Sequence, residues 1–77
     1  MEKEIGQNIK ILRHIVNLSQ KEFASELGLS QQQLSKYERG QSKPSITVLY
    51  TLADKYEVSL DWLCGLNNLQ EEYKLKQ

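Results

Sequence analysis

At 77 residues, with 39% hydrophobic and 26% charged content, the chain has the make-up of one ordinary folded domain and not of a disordered polypeptide. Its lone cysteine, Cys64, excludes an internal disulfide, and no apolar run approaches the roughly 18 residues of a membrane span. The net charge of zero argues against a nucleic-acid partner at first sight, yet it is unevenly spread: residues 1–43 hold seven Lys/Arg against five Asp/Glu, and residues 44–77 hold three against five.

The punctuation of the sequence divides it into five short helices. Ile5, Ile9, Leu12 and Val16 recur at i, i+4, i+7 and i+11, which is one helical face, and Asn17 stands where a left-handed residue closes that helix. Ser19-Gln20-Lys21-Glu22 is a capping box, in which the serine hydroxyl and the glutamate carboxylate each satisfy a free amide. The second helix carries Phe23, Ala24 and Leu27 inward and stops at Gly28. Ser30-Gln31-Gln32-Gln33 then reads as a second capping box, with Gln33 reaching back. The third helix buries Leu34 and Tyr37 and ends at Gly40. After the polar loop Gln41-Ser42-Lys43, Pro44 precedes the cap Ser45, and a fourth helix sets Ile46, Leu49, Leu52, Ala53 and Tyr56 on one side. Val58 leads to the cap Ser59 and a short fifth helix from Leu60 to Cys64, closed by Gly65.

No stretch alternates with a strand period, so an all-α fold is expected. The domain is drawn over residues 1–66. Residues 67–77 form a tail with Leu69, Tyr73 and Leu75 among charges; it extends as a helix, packs on a partner (a dimer contact included) or frays.

The segment from Gln20 to about Gly40 is the most informative. Two short helices joined by a tight glycine turn form the unit that lays its second helix in the DNA major groove. Ala24 sits where the two helices approach closely, and Gly28 sits where the backbone turns with positive φ, which glycine adopts without steric cost. Phe23, Leu27, Leu29, Leu34 and Tyr37 supply the apolar positions between them. The competing reading is a helical hairpin inside an unrelated bundle, which leaves this agreement of small and apolar positions without a reason.

The chain resembles the Cro and phage-repressor (xenobiotic-response-element, XRE) family of DNA-binding domains. The resemblance runs from residue 5 to about 66. It is carried by Ile9, Leu12 and Arg13; by Leu18-Ser19-Gln20, Phe23-Ala24 and Gly28; and by Gln31-Gln32 and Tyr37-Glu38-Arg39-Gly40. Pro44-Ser45-Ile46 and Val58-Ser59-Leu60-Asp61-Trp62-Leu63 complete it. The resemblance implies a five-helix, lambda-repressor-like domain that binds an operator in double-stranded DNA as a homodimer. Asn17 and Glu57 depart from it, since both stand where glycine is usual. A left-handed glutamate costs roughly 1 kcal/mol relative to glycine, so the turn at Glu57 is expected to take another shape.

A wheel of about 100° per residue assigns roles on the third helix. Gln32, Lys36 and Arg39 lie opposite Leu34 and Tyr37, with Gln31 and Ser35 on one flank and Gln33 on the other. Glutamine offers a donor and an acceptor to adenine, and lysine donates to guanine. Gln31, Gln32 and Lys36 match the family's base-reading positions, and Ser35 is added from its place on the wheel. Gln20 matches a phosphate-contacting position in the first turn of the second helix. The helix starts at Ser19 and Ser45, with Arg39 and Lys43, are the other phosphate contacts expected, and such contacts set register more than sequence preference.

Glu38 lies beside the buried face and needs a partner; Arg13, which the family pairs with this position, is expected to supply a structural ion pair. His14 is read as an exposed helical residue, Cys64 as a small apolar one, and Trp62 as either core or a dimer contact. No metal, cofactor or small-molecule ligand is expected, and no nucleophile–base pair points to an enzyme. The opening Met1-Glu2-Lys3-Glu4 lacks the layout of a signal peptide, so a cytoplasmic, nucleoid-associated protein is expected. The rival from another class is a protein-binding module, an antitoxin or antirepressor, built on the same fold.

Overall fold

A computed structural model describes residues 2–66; the tail from 67 to 77, with its expected helical or dimer-contacting role, lies outside the described residues. Within them the chain forms five helices: α1 (Glu2–Ile15), α2 (Gln20–Glu26), α3 (Gln31–Glu38), α4 (Ile46–Tyr56) and α5 (Leu60–Leu63). No described residue is in a strand, and no helix among them is long and apolar enough to cross a membrane.

Each of the last four helices starts on a serine. The hydroxyls of Ser19, Ser30, Ser45 and Ser59 accept from the amides of Glu22, Gln33, Val48 and Trp62 at 3.1, 3.1, 3.2 and 3.0 Å. Ser19 makes the full capping box, because Glu22 Oε1 accepts from the Ser19 amide at 2.9 Å. Ser30 does not. The Gln33 side chain turns away and donates to Ser42 Oγ at 3.5 Å, so only half of the expected second box forms. A neutral amide oxygen is a weaker acceptor for the cap amide than a carboxylate, which leaves Gln33 to a competing partner.

Helix ends are closed by left-handed residues: Asn17 (φ 61°), Gly28 (φ 68°), Gly40 (φ 74°), Glu57 (φ 55°) and Gly65 (φ 74°). After α1, the Leu18 amide donates to the Arg13 carbonyl and the Asn17 amide to the His14 carbonyl, which is the Schellman pattern. The same pair of bonds recurs after α2, from Leu29 to Ala24 and from Gly28 to Ser25. Glu57 therefore keeps the shape the sequence argued against. Its left-handed backbone lets Val58 turn back, donate to the Ala53 carbonyl and pack on the core.

The core takes Ile5, Ile9 and Leu12 from α1, Phe23 and Ala24 from α2, Leu34 and Tyr37 from α3, Leu49 and Leu52 from α4, and Leu63 from α5. α1 packs on α3 and α5, α2 on α3, and α4 on α5. The Phe23 and Tyr56 rings meet with centroids 5.5 Å apart, and burial pushes the Tyr56 hydroxyl above its ordinary pKa. Ile46 differs from its expected inward place: it is 70% exposed. It is the first residue of α4, and the core is reached only by positions deeper in the helix. Trp62 is half-buried against the core, and Asn8 Nδ2 donates to its carbonyl at 2.8 Å, which ties α5 to α1. Cys64 is half-buried as well and lies one residue beyond α5 as its C-cap.

Candidate nucleic-acid interface

α2 and α3 are separated by only four residues, and Gly28 makes the turn. A β-carbon there would meet no atom within 4 Å, so the site demands glycine for its backbone conformation and not for space. Phe23, Ala24 and Leu34 are sealed between the two helices and the rest of the core, which fixes the angle at which α3 stands. With Leu34, Tyr37 and Glu38 inward, the opposite side of α3 is open to solvent. Gln31, Gln32, Lys36 and Arg39 are exposed there, and Ser35 is half-buried on the flank. The expected base-reading residues therefore share one outward side of one helix. Lys43 and the cap Ser45 are also exposed, in the loop that follows and at the start of α4.

Glu38, at the inner end of α3, is only 8% exposed and is paired as expected. Arg13 Nε donates to its Oε2 at 2.7 Å and Arg13 Nη2 to its Oε1 at 3.2 Å, a two-pronged contact that fits the planar guanidinium. Arg13 Nη1 donates in addition to the Leu18 carbonyl at 2.9 Å. One α1 side chain thus holds the end of α3 and the chain entering α2. Both charges are desolvated, so the pair adds little net stability over an apolar replacement, whereas losing one partner costs about 3–5 kcal/mol.

Gln20 does not stand free at the helix start. It is half-buried, and its Nε2 donates to Glu38 Oε1 at 3.0 Å, so it joins the ion pair as a third member. The Ser19 and Ser45 hydroxyl oxygens are occupied as caps; the Ser19 hydrogen goes to the Glu22 carboxylate, and the Ser45 hydroxyl keeps its hydrogen to donate.

Gly6 was not singled out by the sequence. A β-carbon on it would lie 2.2 Å from the Tyr37 carbonyl oxygen, so α1 and α3 touch backbone to backbone at this point. A glycine inside an otherwise regular helical pattern was the available signal, because it weakens the helix and needs a packing reason. Nothing short of the fold, by contrast, marks Gln20 as a partner of Glu38.

The helix-turn-helix family model matches residues 9–63. Among curated proteins, the chain is 39% identical to Antitoxin PezA of Streptococcus pneumoniae, over 92% of this chain and 47% of that one. It is 36% identical to the cryptic phage CTXphi transcriptional repressor RstR of Vibrio cholerae, over 80% of this chain and 55% of that protein. It is 32% identical to the HTH-type transcriptional regulator ImmR of Bacillus subtilis, over 88% and 54% respectively. The chain thus spans about half the length of these relatives. No solved structure gives a significant match.

Proposed function

The chain belongs to the Cro- and phage-repressor-like (XRE) helix-turn-helix family, and from that premise we propose that it is a sequence-specific DNA-binding transcriptional repressor. The observation that carries this reading is the outward side of α3, where Gln31, Gln32, Lys36 and Arg39 stand exposed opposite buried Leu34 and Tyr37. Gln31, Gln32, Ser35 and Lys36 read base edges in the major groove. Ser19, Gln20, Arg39, Lys43 and Ser45 hold phosphates on either side. A homodimer places two copies of α3 in successive grooves about 34 Å apart, on a near-palindromic operator. No catalytic step, metal or small-molecule cofactor enters this mechanism.

Selection from a random duplex pool tests it. The native chain should enrich a two-fold symmetric site, and Gln32→Ala with Lys36→Ala should abolish the enrichment while the helical circular dichroism is kept. Recovery of no preferred duplex would sink the proposal. The likeness to an antitoxin favours a second reading, in which the fold also covers a protein partner. Under it, the Gln32→Ala, Lys36→Ala protein loses DNA and still forms the protein complex.

A further inference from the structure

Gln20 reaches the interface already oriented. Its Nε2 donates to Glu38 Oε1 at 3.0 Å, and Glu38 is locked in turn by two bonds from Arg13 at 2.7 and 3.2 Å. The Glu38 side chain is 3% exposed, so water does not compete for its oxygens. A carboxylate has no hydrogen to give, so it accepts only the nitrogen end of the Gln20 amide and settles which way that amide faces. The nitrogen carries two hydrogens. One goes to Glu38, and the other remains on a half-buried side chain in the first turn of α2. Arg13 neutralises Glu38, so an acid placed this close to the interface does not repel a polyanion. Its third bond, to the Leu18 carbonyl at 2.9 Å, holds the backbone one residue before the α2 cap.

We propose that Glu38 is a positioning residue for DNA binding: it presents the second N–H of Gln20 to a phosphate oxygen, in fixed register with the reading side of α3. The proposal rests on the DNA-binding reading above. Without the carboxylate, the Gln20 amide turns freely and offers a phosphate its oxygen as readily as its nitrogen.

A double-mutant cycle on the duplex selected by the native chain tests this. Gln20→Ala should weaken binding roughly tenfold in the native background, the size of one lost hydrogen bond to a charged group. In the Arg13→Met, Glu38→Leu background, which leaves no acceptor opposite the Gln20 nitrogen and no lone buried charge, the same change should cost less than about twofold, because the orientation is already lost. Phosphate contacts carry no sequence information, so this pair of substitutions should leave the rank order of selected sequences unchanged. Should that protein fail to fold, the Arg13→Leu, Glu38→Met protein replaces it, with the same expectations. Equal tenfold losses in both backgrounds, or a reordered preference, would overturn the role of Glu38 and leave the DNA-binding reading standing. A native chain that selects no duplex overturns both.

Discussion

Gly6 shows how a single residue decides an interhelical distance. Helix propensity alone favours Gly6→Ala by about 1 kcal/mol, since glycine is the costlier helix residue. The Tyr37 carbonyl oxygen at 2.2 Å from the added methyl forbids it, and the obstacle is backbone that cannot rotate aside. Gly6→Ala should therefore destabilise the chain by about 1–3 kcal/mol in urea unfolding, the cost of overpacking. A gain in stability would mean that α1 and α3 separate freely. At the same scale, the need of Glu38 for a cation was legible, because a carboxylate beside a buried face has to find one, and the family resemblance pointed to Arg13. The third member was not. Gln20 and Glu38 are 18 residues apart on different helices, and only the angle between α2 and α3 brings their polar atoms together.

Helix boundaries are the most local part of the structure. Four serine caps and three left-handed glycines stand where composition and spacing place them, because each needs only its own few residues to act. Glu57 is the exception. It is exposed, so its side chain gains little from packing, and at φ 55° it carries the steric cost that glycine avoids. Glu57→Gly should stabilise the chain by about 0.5–1 kcal/mol in thermal unfolding, part of the gain being offset by the freer unfolded state. An unchanged or lower Tm would show that the turn holds no strain. Glu22 gives this scale a pH signature. The bond it receives from the Ser19 amide, with a further one from the Ser19 side chain, holds its carboxyl below the ordinary value. A depressed carboxylate contributes stability above the unfolded pKa and loses it as pH falls through the folded one. The stability advantage of native over Glu22→Gln should thus shrink on acidification below the ordinary carboxylate range. An advantage constant across that range would remove the carboxylate from the cap.

Over the whole molecule, electrostatics shape how the proposed interface works. The chain is neutral, so DNA is not attracted by bulk charge, and the few cations beside α3 act locally. Arg39 and Lys43 are both exposed and carry phosphate charge in the proposed complex. Arg39→Ala or Lys43→Ala should weaken binding to every duplex by a similar factor. Each should also reduce the slope of log K against log salt by about 1 for every phosphate it no longer neutralises. Altered preference between duplexes with an unchanged slope would instead make that residue a base reader. Ile11, Ile15, Ile46 and Tyr50 remain exposed on α1 and α4, and periodicity placed only Ile46 among the inward residues. An amphipathic pattern says which side of a helix is apolar, but the width of the buried stripe depends on what packs over it.

The sequence by itself determined five helices, their serine caps, the turns other than the one at Glu57, most of the core and the polar side of α3, because these follow from contacts within a few residues or one helical period. Only the tertiary structure decided that Gly6 is a backbone contact, that Gln33 leaves its cap for Ser42, that Ile46 stays outside and that Gln20 is bound to Glu38. Each of these depends on how far apart and at what angle two elements sit, and no one-dimensional pattern carries that distance.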